Sequence, residues 1–169
     1  MGVVRLTPVA ERVLQPLLSL AVAETAPNEV MPPIDAPPGW SEARRRAFCN
    51  FYRSHHDGLG GPTRTEVNAI LCDGEVVGMI RMARRDDSDS VETGMWLGKS
   101  ARGQGIGVAA LQLLLGEAAL VGAHRVVAET TAANVAAIGV LRRCGAVLSV
   151  NGAEVHAEIP IDPGIIRRR

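Results

Sequence analysis

Hydrophobic and polar positions along this 169-residue chain follow two periods, and the change from one to the other divides it. In the first third the period is helical. Val13, Leu17, Leu20 and Ala21 recur at three- and four-residue spacing, which predicts a helix over 9–24 behind a short strand at 3–6, with Thr7 as its cap. Residues 26–39 carry Pro27, Pro32, Pro33, Pro37 and Pro38 and are expected as an extended loop, because proline removes the donors that a helix or central strand needs. Ser41 then caps a second helix with Glu42 in its first turn, running through Phe48, Phe51 and Tyr52 to about His56 and exposing Arg44, Arg45 and Arg46. Asp57-Gly58 and Gly60-Gly61-Pro62 end it.

From Thr65 the period is two. Strands are predicted over 65–72, 75–83 and 90–97, the first two joined by Asp73-Gly74, a strong hairpin signal. A glycine-rich turn, an apolar helix over 106–121, a strand over 125–130, a helix capped by Asn134 and reaching 144, and strands over 146–150 and 154–159 follow. The order β-α-α-β-β-β-α-β-α-β-β describes one α/β (α+β) domain over 1–169, a mixed, mostly antiparallel sheet flanked by about four helices. Arg167-Arg168-Arg169 reads as a solvated tail.

Composition narrows the chemistry. With 47% hydrophobic and 21% charged residues the chain is globular rather than disordered or fibrous, and at this length roughly 70% of its unfolded surface can be buried, so neither disulfides nor metal are required. Its 18 basic and 18 acidic residues leave no cationic surplus for nucleic acid. Cys49, Cys72 and Cys144 lack paired spacing and read as buried thiols in a reducing compartment; His55-His56 has no third ligand at metal spacing, and no metal is assigned. Glu11 and two arginines interrupt the place of a signal-peptide core, Leu6 stands where a myristoylation signal wants Ser or Thr, and no stretch reaches the ~20 apolar residues of a membrane span. A cytoplasmic protein without membrane attachment is expected.

The most informative stretch is Arg102-Gly103-Gln104-Gly105-Ile106-Gly107, between a strand and a helix. Glycines there admit close backbone approach, and unpaired amides at a helix start favour a phosphate; a plain turn with no ligand satisfies the same spacing. It lacks the Gly-Lys-Ser/Thr of a P-loop, and it follows an antiparallel meander instead of the first strand of a dinucleotide-binding unit. In these residues the chain resembles the GNAT superfamily of N-acetyltransferases, whose pyrophosphate signature Gln/Arg-x-x-Gly-x-Gly/Ala is matched by Arg102, Gly105 and Gly107. Two further segments carry the resemblance. Asn134 to Ile138 through Cys144-Gly145-Ala146 is similar to the family's N-x-x-A-I-x-x-L-x-x-x-G-F segment, and Glu92-Thr93-Gly94-Met95-Trp96-Leu97 to the E-I-G-Y-W-L strand of the branch holding RimJ/RimL-type and several drug acetyltransferases.

The resemblance implies a splayed sheet and transfer of acetyl from acetyl-CoA to a primary amine by direct attack. It implies that the amides from Gln104 through Ile106 to Val108, with Gly103 and Arg102 beside them, hold the pyrophosphate. Backbone groups of Trp96 and Leu97 would pair with the pantetheine arm, in an opening that a β-bulge assists. Asn134 is a candidate contact to the same arm and equally a simple helix cap. The attacking amine must be neutral, and Glu92, on the strand face shared with Gly94 and Trp96, is the candidate base; an ion pair with a nearby arginine is its structural alternative. Many family members place a tyrosine acid where this chain has Leu141, and its one tyrosine is Tyr52, so the acid is unassigned. The same gap leaves open a non-catalytic acyl-CoA-binding domain, and the turn alone allows a nucleotide-binding regulator.

For the acceptor, Glu29, Asp35 and Asp57, with Glu92 and the run from Asp86 to Asp89, suggest a negative potential suited to a small cationic amine, an aminoglycoside-type antibiotic above all. The run reads equally as a solvated hairpin tip. Trp40 can stack on a sugar ring or pack on Pro37 or Pro38. The alternative acceptor is the α-amine of a protein N-terminus, as the RimJ/RimL-like strand suggests. A homodimer is compatible with this reading.

Overall fold

The computed structural model describes residues 2–87 and 89–162; Arg167-Arg168-Arg169 and Ser88 of the acidic run lie outside them. The chain runs β1 (Val4–Pro8), α1 (Glu11–Glu24), α2 (Pro27–Val30), α3 (Glu42–Arg53), β2 (Thr65–Cys72), β3 (Glu75–Arg84), β4 (Ser90–Leu97), α4 (Ile106–Leu120), β5 (Arg125–Thr131), α5 (Val135–Arg143), β6 (Val147–Asn151) and β7 (Glu154–Pro160). One seven-stranded sheet orders these as β1-β2-β3-β4-β5-β7-β6. Only β4 and β5 run parallel, so the sheet is mixed and mostly antiparallel.

Local chemistry explains most of the boundaries. Asp73 and Gly74 both take positive φ, 51° and 85°, the pair of left-handed residues that a tight two-residue hairpin between β2 and β3 demands. Ser41 accepts from the Arg44 amide at 3.3 Å and starts α3; Asn134 accepts from the Ala137 amide at 3.1 Å and starts α5. Two expectations are corrected. Thr7 belongs to β1 and caps nothing: α1 starts at Glu11 behind Ala10, because the pairing of Thr7 with Ala69 extends the strand. The proline loop also contains a helical turn, α2, since Pro27 lies at its start, where no amide is needed, and the Glu29 carboxylate accepts from the Ala26 amide at 2.6 Å.

A hydrophobic core lies on each face of the sheet. Against one, Leu14 and Leu17 of α1, Val30 of α2 and Phe48 and Tyr52 of α3 cover Val67, Met79 and Trp96. Against the other, Leu111 and Leu114 of α4 and Leu141 of α5 cover Ile70, Ile80, Val91, Val126 and Ile159. Full burial of each such side chain is worth about 1.5–3 kcal/mol. The first core contains a polar link: the buried Tyr52 hydroxyl donates to the Val30 carbonyl at 3.1 Å and accepts from Trp96 Nε1 at 2.9 Å. That link ties α2 and α3 to the middle of the sheet. Of the three cysteines, all free, Cys49 is buried as expected, whereas Cys72 and Cys144 are only half-buried.

Tyr52→Phe should therefore leave the Trp96 N–H without its acceptor in a buried site. We expect a loss of about 1–3 kcal/mol in urea unfolding, with the m-value unchanged.

Candidate active site

The site begins where two strands part. β4 and β5 pair only through Ser90 with Arg125, Val91 with Val126 and Glu92 with Val127. Beyond Glu92 they diverge and leave a cleft of about 190 Å³ whose walls include Thr93, Gly94 and Met95 of β4, Ala128 and Thr130 of β5, and Asn134. Strand edges that part in this way present backbone groups that no neighbouring strand satisfies. The bulge among these strands lies one strand away from the opening it was expected to assist: β3 and β4 stay in uninterrupted register, and Val77 of β3 is the extra residue, opposite the Ile70/Leu71 step of β2. Its carbonyl accepts from the Gly98 amide at 2.9 Å, which guides the chain out of β4.

That exit leads into the glycine turn. Gly103 and Gly105 have φ of 74° and 80°, a left-handed conformation that side chains resist, and Gly105 starts α4 without a side-chain cap. The amides of Gly105, Ile106, Gly107 and Val108 therefore have no acceptor among the described residues. Gly107 serves a different need, since a Cβ there would stand 3.2 Å from Val140 Cγ2 and 3.6 Å from Leu97 and Met95. Its bareness lets α4 begin against α5 and the end of β4, beside the cleft. Arg102 Nε donates to the Leu97 carbonyl at 3.0 Å and Gln104 Nε2 to the Ser100 carbonyl at 2.7 Å, so both side chains brace the turn.

A residue that sequence reasoning passed over completes the brace. Glu24, the last residue of α1, accepts from the Ser100 hydroxyl at 2.7 Å and from its amide at 3.1 Å. Those bonds from Ser100, hydroxyl first, hold its carboxyl below the usual range, with smaller help from Arg102 and Lys99. Its only sequence signal is its place at a helix end, and its partner lies 76 positions away.

Glu92 is half-buried on the face shared with α1 and α3, 2.9 Å from Arg81 Nη2 and 3.8 Å from Arg85 Nη1. On the same face of β5, across the opening, Glu129 pairs with His156 of β7. Neither of those two was singled out from sequence. The three acceptor-side candidates do not converge. Trp40 donates to the Thr25 carbonyl at 2.8 Å and packs edge-on to Phe48, so the expected packing on Pro37 or Pro38 is replaced by a ring in the core. Asp57 lies 3.0 Å from His56 Nε2, and Asp35 is exposed in the loop before α3. Tyr52 is too deeply buried to serve as an acid; burial pushes its phenol up, and its hydroxyl is committed to Val30. Leu141 stands in the cleft wall.

The site thus joins a parallel strand pair that parts after three residues to a helix start whose amides are uncapped. Residues 29–146 match the Acetyltransferase (GNAT) family, which takes in β4, the glycine turn and α5, and the chain belongs to that family. It is an acetyl-CoA-dependent N-acetyltransferase. Among solved structures it is similar to RimL, a ribosomal L7/L12 alpha-N-protein acetyltransferase in complex with CoA, at 23% identity over 95% of each chain and a TM-score of 0.72. It is also similar to Mycobacterium smegmatis RimJ in complex with CoA-disulfide, at 24% identity over 94% of this chain and 82% of the other, TM-score 0.73. A third likeness is to the microcin C7 self-immunity acetyltransferase MccE in complex with acetyl-CoA and AMP, at 17% identity over 94% and 92%, TM-score 0.71. None of the curated proteins matches the chain. Among the described residues no group of His, Cys, Asp and Glu is arranged to hold a metal ion, and no helix is long and apolar enough to cross a membrane.

Two outcomes are expected. Gly107→Glu should push α4 off Val140 and lower CoA affinity at least tenfold by titration calorimetry, a wild-type affinity contradicting this account. Glu24 has a folded-state pKa below its ordinary value of 4.5, so its contribution to stability is complete above that value and is lost as pH falls through the lowered one. Glu24→Gln should thus be destabilised at pH 7, and its unfolding midpoint should fall less steeply than that of wild type between pH 5 and 3.

Proposed function

We propose that this N-acetyltransferase acts on the α-amine of a protein or peptide N-terminus, with Glu92 as the base. The observation that carries the reading is the open fork: beside β4 the half-sheet β5-β7-β6 keeps Glu129 and Glu158 exposed on the face that Glu92 shares. A trough of this kind admits a chain end. Trp40 donates to the Thr25 carbonyl and Asp57 sits beside His56, which favours the chain end over a sugar. The likeness to RimL and RimJ, whose fold the chain shares, is consistent with it. Glu92 and Glu129 at the mouth favour a second reading, the small cationic amine, with an aminoglycoside and hence antibiotic resistance as its case. A cytoplasmic location accords with three free thiols.

The residues present suit the cofactor. The four amides from Gly105 to Val108 would hold its pyrophosphate, and the free edge of β4 from Thr93 to Leu97, with Asn134, would take the pantetheine arm. When bound, acetyl-CoA supplies the activated acyl group. Glu92 accepts the proton of the incoming ammonium, which alone makes the nitrogen a nucleophile, since a free alkyl amine has a pKa of about 10. An amide on the β4 edge would polarise the acyl carbonyl. With Tyr52 committed to Val30 and Leu141 apolar, the proton for the thiolate would come by way of water from the nitrogen, which loses its second proton as the amide forms.

Thiol release from acetyl-CoA, measured with kanamycin, spermidine and peptides bearing a free α-amine, tests the acceptor. We expect turnover with the peptides; turnover with kanamycin alone would replace this reading by the second. With the acceptor in hand, Glu92→Gln should lower kcat roughly 10- to 1000-fold with CoA affinity intact.

A further inference from the structure

Glu92 does not lie free at the mouth of the fork. Arg81 of β3 stands opposite Gly94 in the register, and its guanidinium crosses β4 above that glycine to reach Glu92 Oε1 at 2.9 Å. The crossing depends on Gly94 being bare. A Cβ built there would approach Arg81 Nε to 2.9 Å, Nη2 to 3.1 Å and Cζ to 3.2 Å, and only the side chain can yield. Gly94 has an ordinary backbone conformation, so no left-handed turn demands a glycine at this position. The space does. The Arg81 and Glu92 side chains are each about one-third exposed. On this face the other charged groups are Arg85, 3.8 Å from the second carboxylate oxygen, Arg125 paired with Glu158 and Glu129 paired with His156 across the opening, and His55, whose imidazole is held below its usual range by burial first and by the Arg81 charge second.

We propose that Arg81 is a positioning residue: resting in the gap left by Gly94, it holds one oxygen of Glu92 and so fixes the carboxylate at the point where β4 and β5 part, with the other oxygen 3.8 Å from Arg85. A carboxylate with one oxygen committed presents a lone pair in a fixed direction, and a base must meet its proton within hydrogen-bond reach. A lysine at this place retains charge but has no planar fork. Arg81 acts through Glu92, so the inference rests on the reading of Glu92 as base.

The test uses the full chain, acetyl-CoA and whichever of kanamycin, spermidine or an α-amine peptide it turns over. Arg81→Gln should lower kcat about tenfold and leave the acceptor KM and the CoA dissociation constant unchanged, while Arg81→Lys restores part of the rate. Gly94→Ala should produce the same loss with the charge still present, and the double variant Gly94→Ala/Arg81→Gln should be no slower than the slower single variant, as expected of two changes that break one contact. A CoA-induced rise in melting temperature in each variant shows that it is folded. If Glu92→Gln is slow but Arg81→Gln keeps the wild-type kcat, positioning by Arg81 is overturned and the base stands. If Glu92→Gln itself is unimpaired, both fall together. Multiplicative losses in the double variant would also overturn the proposal, since Gly94 would then act by another route.

Discussion

Everything in the site depends on the shortness of one strand pairing. β4 is bound to β3 along its whole length but to β5 only as far as Glu92. The edge from Thr93 to Leu97 is therefore left without a β5 partner, Glu92 falls at the vertex, and the turn that follows Leu97 leads into the uncapped amides at the start of α4. A parallel pair joined by a crossover helix can part in this way without unravelling, because α4 covers both strands from one face. An antiparallel hairpin at this place would zip shut to its turn.

The helices on the opposite face secure the lips of the opening. Tyr52 carries Val30 on one side and Trp96 on the other, so α2, α3 and β4 meet at a single hydroxyl. Glu24 does the same for α1 and the glycine turn. Both are long-range polar contacts from the first third of the chain, one into β4 and one into the turn that follows it.

Most elements were legible because their signals are local. Asp73-Gly74, Ser41 and Asn134 each act within four residues, and the alternation from Thr65 onward is read directly off the chain. Glycine at 105 was legible for the same reason, through the helix it opens. What escaped depends on distance. That Thr7 extends a strand follows from its pairing with Ala69, and that Trp40 turns into the core follows from Phe48 and Thr25. The α2 turn escaped because five prolines weigh against a helix in composition, although Pro27 at a first helical position is an asset. Glu92 was visible as a residue, but its contact with Arg81 above the bare Gly94 arises only through the β3–β4 register. Gly107 looked like a ligand glycine and is, in the structure, first a packing glycine against Val140.

The sparse joint between β4 and β5 also sets an order of assembly. Strands β2, β3 and β4 form hairpins from adjacent stretches of chain, as do β6 and β7, whereas Glu92 and Val127 close a loop of roughly 35 residues for a few backbone bonds. Local zippers form before a distant seam, because the entropy of closing the loop must be met before its contacts give anything back. The cleft comes into being only when that seam closes. A cofactor that binds only the closed form then acts as a clasp on the last-formed joint, and its concentration in the cell becomes a term in how long the two halves stay together.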